Sequence, residues 1–110
     1  GAAARLTSLR VGIMSIFAVE YVYDAESAAV RDEHRPAHRE WLASLVEEGK
    51  VLASGPFTDG AGALLIFTAA DEDELNNLLK QDPLAVGGGI SGLKTTEWKP
   101  VTGAFAHLAG

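Results

Sequence analysis

Ser15 to Tyr23 (SIFAVEYVY) is apolar, β-branched or aromatic at almost every position, with Glu20 as its only charge. Such a run predicts a strand buried on much of both faces. Asp24 offers a cap, and Ala25 to Asp32 suits a helical turn or two. Arg35-Pro36 then breaks or restarts the helix, since proline favours the first helical position. From Pro36 to Glu48 the period is helical: Trp41, Leu42, Leu45 and Val46 form one apolar stripe. Gly49 is a natural stop just past its end.

Val51 to Phe57 predicts a second strand, with Ser54-Gly55-Pro56 near its end, and Ala63 to Ala69 a third, nearly all apolar. The Thr58–Gly62 turn between them is short enough for a hairpin. Asp71, with Glu74 three residues on, has the spacing of a capping box. It opens a second helix whose buried stripe is Leu75, Leu78 and Leu79. That helix should stop near Asp82, because the residue before Pro83 is pushed out of helical dihedrals. Leu84 to Gly92 holds four glycines and is expected to be a mobile loop rather than a helix. Leu93 to Val101, with Trp98, closes as a fourth strand.

The order is β-α-β-β-α-β, an α+β class. It predicts the ferredoxin-like, split-βαβ arrangement: a four-stranded antiparallel sheet with two helices on one face. Strands one and three are apolar on both sides, so the helix-free face needs cover as well. A second copy placed sheet against sheet supplies it, and a homodimer is expected. The domain is placed at residues 14–101. Residues 1–13 are small, weakly basic and aperiodic, and are set aside as a disordered leader or extended start; the only methionine, Met14, directly precedes the first strand. Residues 102–110 form an apolar, Gly/Ala-rich tail expected to fray or to pack on a partner.

With 110 residues the chain fits one domain. Nine Lys and Arg against fifteen Asp and Glu give a net charge of −6, which disfavours a phosphate backbone or an anionic membrane as partner. The absence of cysteine excludes disulfides, thiolate catalysis and Cys-based zinc sites, and is compatible with a cytoplasmic protein. No apolar run reaches the roughly 20 residues of a membrane span.

Arg35-Pro36-Ala37-His38, then Leu42, Gly49 and Leu52-Ala53-Ser54-Gly55-Pro56, resemble the YCII-related family, with its R-P-x-H, its helix ending in E-x-G and its strand ending in x-G-P. Asp82-Pro83, a glycine-bearing loop and a last strand ending in Trp98 resemble the family's close. The resemblance spans about Ser15 to Val101. It implies a ferredoxin-like fold assembled as a dimeric α/β barrel, similar to muconolactone isomerase, and an active-site His–Asp pair, by position His38 and Asp82. One relative is a dehydrochlorinase acting on a chlorinated hydroxyhydroquinone. Glu97 before Trp98, where many relatives have proline, the short Thr58–Gly62 turn and the triple glycine Gly87–Gly89 depart from the pattern.

His38, read in the first turn of the long helix, would feel opposing influences: the helix N-terminus disfavours added positive charge, and a carboxylate favours it. With both, it suits general acid–base chemistry, with Asp82 fixing its tautomer. A solvated histidine and a plain helix-exit aspartate are the competing readings. Ser54, Gly55 and Pro56 either turn amides or a hydroxyl toward a substrate oxygen or simply end an edge strand. Arg35 either binds a substrate carboxylate or phenolate or is merely exposed.

His34 and His38 have the i, i+4 spacing of a metal pair. Pro36 lies between them and the glutamate pattern of zinc proteases is missing, so no metal is expected and His34 reads as an exposed helix residue. Ser54 lacks the surroundings of a nucleophile elbow. Trp41 and Trp98 read as core or interface residues, Gly87–Gly89 as a flexible pocket rim, and His107 as incidental. The reading favoured is a cofactor-independent enzyme moving a proton on a small molecule, as a lyase, isomerase or hydrolase. The alternative is a non-catalytic module that binds a small ligand.

Overall fold

The computed structural model describes residues 14–109; the expected leader, residues 1–13, lies outside the described residues. The elements are β1 (Ser15–Val22), α1 (Ala28–Glu47), β2 (Val51–Pro56), β3 (Gly62–Ala69), α2 (Glu72–Leu79), α3 (Pro83–Val86) and β4 (Gly92–Trp98), followed by a 3-10 turn at Ala106–Leu108. The strands form one antiparallel sheet in the order β2-β3-β1-β4, so the two most apolar strands lie in its centre. This is the expected α+β architecture, with three α-helices rather than two.

Side chains alternate across the pleat. Phe17, Val19 and Tyr21 of β1 and Ala63, Leu65, Phe67 and Ala69 of β3 meet Leu45 of α1 and Leu75, Leu78 and Leu79 of α2 in one buried cluster. The opposite face carries Ile16, Ala18, Glu20, Val22, Leu64, Ile66 and Trp98. Ile16 and Ile66 are buried there, while Val22, Leu64 and Trp98 are exposed. Leu108 of the tail lines a cavity with Ile16, Leu52 and Thr68, so the tail reaches this face of its own chain.

α1 runs unbroken through Pro36, contrary to the expected break. A proline inside a helix removes one hydrogen bond and crowds the carbonyl four residues back. Here both Pro36 and Asp32, which owns that carbonyl, are exposed, so that turn of the helix faces solvent, where water can serve the oxygen. The C-terminus closes as a Schellman motif: Gly49, at φ +77°, donates to Val46, and Lys50 donates to Leu45. Val46, placed in the apolar stripe from sequence, is exposed. The inward face instead follows Arg31, His38, Trp41, Leu42 and Leu45.

Asp71 caps α2 by accepting from the Glu74 amide, and the Glu74 carboxylate accepts from the Ala70 amide, closing the box one residue earlier than the usual form. The expected loop after Asp82 begins instead with the helical turn α3. Pro83 stands at its first position, and the Asp82 carboxylate accepts the Leu84 amide, so the glycines start only after the turn is complete. β4 ends at Trp98 rather than at Val101.

Candidate functional site

His38 and Asp82 lie 44 positions apart in sequence, and His38 Nδ1 stands 2.7 Å from Asp82 Oδ1. The His38 side chain is 12% exposed and that of Asp82 is fully buried. Oδ1 also accepts the Leu84 amide at 2.9 Å, and Oδ2 accepts the Tyr21 hydroxyl at 2.7 Å. A buried carboxylate is tolerated only when its lone pairs are satisfied, and here three donors converge on it. With both oxygens engaged as acceptors, His38 carries its proton on Nδ1, leaving Nε2 as the free ring nitrogen.

The expectation that His38 sits in the first turn of the helix is overturned. α1 begins ten residues earlier, so His38 sits mid-helix and no helix N-terminus acts on it. Its position comes from α1's inward face: Trp41 lies against it with ring centroids 6.1 Å apart, and Phe67 backs Trp41 at 6.2 Å. The buried Trp41 indole N–H has no acceptor among the described residues.

His38 opens on a cavity of about 280 Å³. α1 supplies Arg35, His38, Arg39 and Leu42, at i, i+3, i+4 and i+7 on one helix face; β2 supplies Ser54, Gly55 and Pro56. Ala63 and Leu84 add apolar wall, and Tyr23 borders the opening. Arg35, His38, Ser54, Gly55 and Pro56 thus meet at one cavity, with Asp82 directly behind His38.

A β-bulge aims β2. Val51 opposes Phe67 and Ala53 opposes Ile66, so Leu52 is an extra residue. After it, Ser54 opposes Leu65 and Pro56 opposes Ala63, which are residues of the helix-covered face. Without the extra residue, strand parity would turn Ser54 to the other side.

Four contributors escaped the sequence reading: Tyr21, Arg31, Tyr23 and Arg39. Tyr21 has the inward parity of Phe17 and Val19, and a buried tyrosine hydroxyl needs a partner; that parity was the available signal. Burial, reinforced by the charge of Asp82 and the hydrogen bond to it, pushes the Tyr21 hydroxyl far above the ordinary tyrosine range, so it remains a donor. Arg31, seven residues before His38 on the same face, is buried. Nη1 donates to the Gly89 carbonyl at 3.1 Å and Nη2 to the Asp24 carbonyl at 2.8 Å. Its guanidinium lies 4.5 Å from the Tyr23 ring centroid, a cation–π contact that holds Tyr23 at the cavity edge. Burial and the charge of Asp82 raise the Tyr23 hydroxyl, opposed by Arg31 and Arg35.

The fourth contributor is Arg39, which lines the cavity one helical turn after Arg35. His34, read as exposed, is half-buried against Gly87, where an added Cβ would fall 2.5 Å from the imidazole. Among the described residues no three His, Asp or Glu side chains gather in a group that could hold a metal ion, and no helix is long and apolar enough to cross a membrane.

A family profile described as the YCII-related domain matches residues 16–99. The uncharacterized protein YjpA of Bacillus subtilis (strain 168) is 36% identical over 67 residues, which cover 61% of this chain and 78% of that protein. Among solved structures, 5-chloro-2-hydroxyhydroquinone dehydrochlorinase (TftG) from Burkholderia phenoliruptrix AC1100, in complex with 2,5-dihydroxybenzoquinone, superposes with a TM-score of 0.68 at 26% identity. The match covers 76% of this chain and 93% of that one.

Proposed function

The chain belongs to the YCII-related domain family, and on that premise we propose that it is a cofactor-independent enzyme in which His38, oriented by Asp82, transfers a proton on a small molecule. The observation that carries this reading is the fully buried Asp82 carboxylate holding His38 Nδ1 at 2.7 Å while His38 lines a cavity. Nε2 takes a proton from an acidic C–H or O–H, and Asp82 stabilises the imidazolium. In an elimination, the electrons of the broken C–H bond form the new double bond and the leaving group departs with its own pair. In an isomerisation, the imidazolium returns the proton to another carbon. Arg35 and the Ser54–Pro56 segment bind the substrate oxygen on which charge develops. The likeness to a dehydrochlorinase supports the elimination form.

Chloride release from 5-chloro-2-hydroxyhydroquinone, and deuterium incorporation into a panel of enolisable keto acids in D2O, test the proposal. Turnover in either assay that disappears in His38→Ala is the expected result. Tight binding of 2,5-dihydroxybenzoquinone with neither reaction would instead make the chain a ligand-binding module. The same reading includes a homodimer formed through the helix-free sheet face, motivated by the exposed Val22, Leu64 and Trp98.

A further inference from the structure

We propose that the cavity selects a small organic anion, a carboxylate or phenolate, and that Arg39 anchors its charge. This rests on the cavity being the reaction site, and it adds the class of substrate. The chain carries a net charge of −6, yet the two permanently charged side chains lining the cavity, Arg35 and Arg39, are both cationic. The Asp82 carboxylate is behind His38 with both oxygens engaged, and no Asp or Glu is among the residues lining the cavity. An anion entering here meets positive charge on a surface that is otherwise mostly negative.

The two arginines are not equivalent. Arg35 Nη1 is bonded to Asp32 on the solvent side. Arg39 has no ion pair among the described residues and stands exposed at the rim. Like charges one helical turn apart repel, and an anion seated between them relieves that repulsion.

The uncharged groups agree. Tyr23 and Ser54 line the cavity, and their hydroxyls have no hydrogen-bond partner among the described residues. Guanidinium groups only donate and hydroxyls donate readily, so the side chains offer donors on several sides and one basic acceptor, His38 Nε2. The complementary ligand brings several acceptor oxygens and one transferable proton. The apolar wall of Leu42, Ala63 and Leu84 and a volume of about 280 Å³ limit its carbon skeleton to a single ring or a short chain.

The test uses 4-hydroxybenzoate and its neutral analogue 4-hydroxybenzamide, titrated calorimetrically into the full chain at low and high salt. The expected result is preference for the anion, weakened roughly tenfold in Arg39→Gln with loss of most of its salt dependence, and partly restored in Arg39→Lys. Lys80→Gln, which removes one positive charge at an exposed position outside the cavity lining, should bind the anion within about threefold of wild type. Equal affinity for anion and amide, unchanged affinity and salt dependence in Arg39→Gln, or no anion binding at millimolar concentration would each overturn the proposal. Arg39-dependent binding without any proton exchange leaves the anchor standing and removes only the catalytic reading.

Discussion

The Tyr21 hydroxyl donates to Asp82 Oδ2 at 2.7 Å, joining the central strand to the cap of a one-turn helix across 61 positions of sequence. Asp82 is therefore held from three sides, by the strand through Tyr21, by α3 through the Leu84 amide and by α1 through His38. The rigidity of the His38 ring follows from this network, and so do the consequences of cutting it.

Replacing Asp82 by alanine leaves the Tyr21 hydroxyl and the Leu84 amide buried without an acceptor. The expected destabilisation is about 3 kcal/mol, measured by urea unfolding. Asp82→Asn keeps the shape and one carbonyl oxygen, so it should lose less stability while altering the His38 tautomer, visible in imidazole 15N shifts. An Asp82→Ala protein as stable as wild type would mean that the carboxylate is solvated.

Tyr21 gives a pH signature. Burial and Asp82 raise its hydroxyl in the folded state, so the folded protein keeps the proton after the unfolded chain has released it. Above about pH 10, beside a fall from the raised Tyr23 hydroxyl that wild type and Tyr21→Phe share, the Tyr21 contribution to stability should therefore fall with a one-proton slope, about 1.4 kcal/mol per pH unit. Tyr21→Phe has no such group and lacks that component. At pH 8 the variant should be about 2 kcal/mol less stable, because Oδ2 loses its donor. The gap should close as the pH rises past 10. A gap that is constant from pH 8 to 11 would count against the buried hydrogen bond.

Much of this arrangement was legible in the chain. The near-continuous apolar runs of β1 and β3, the capping signal at Asp71 and Gly49 as a stop located the sheet and the helix ends, because each depends on local chemistry. The motif residues His38, Asp82, Arg35 and Ser54-Gly55-Pro56 were all named, and they gather at one cavity or directly behind it. What stayed hidden depends on tertiary context. Pro36 reads as a breaker unless its turn is known to face water. The β2 bulge at Leu52 is invisible to a period-two pattern, although it decides where Ser54 points. Arg31 looks like any helix arginine until the Gly89 carbonyl and the Tyr23 ring meet it.

The glycine run is constrained by the helix it crosses. A Cβ at Gly87 would fall 2.5 Å from His34 Cδ2 and 2.6 Å from Nε2. Gly87→Ala must displace that ring, and overpacking of this kind costs about 2 kcal/mol. His34→Ala should relieve most of the loss in the double variant, since the clash is with that side chain. Thermal unfolding of the four proteins gives the coupling directly; simple additivity would show that His34 is not what Gly87 accommodates.

The helix-free sheet face yields the last expectation. Val22, Leu64 and Trp98 are 51%, 38% and 42% exposed on a face whose neighbours Ile16 and Ile66 are buried. A chain of this size has a thin core, and pairing two such faces removes apolar area from water at about 25 cal/mol per Å². Light scattering at micromolar concentration should give twice the 11.5 kDa chain mass. Leu64→Asp places a charge in the middle of the face and should shift the mass toward the monomer, without touching His38 or its cavity. Far-UV circular dichroism separates dissociation from unfolding, because a monomer that keeps its sheet signal has lost only its partner. A wild-type protein that stays monomeric at 100 µM would leave the tail at Leu108 as the cover this face receives, and the sheet-to-sheet pairing would be wrong.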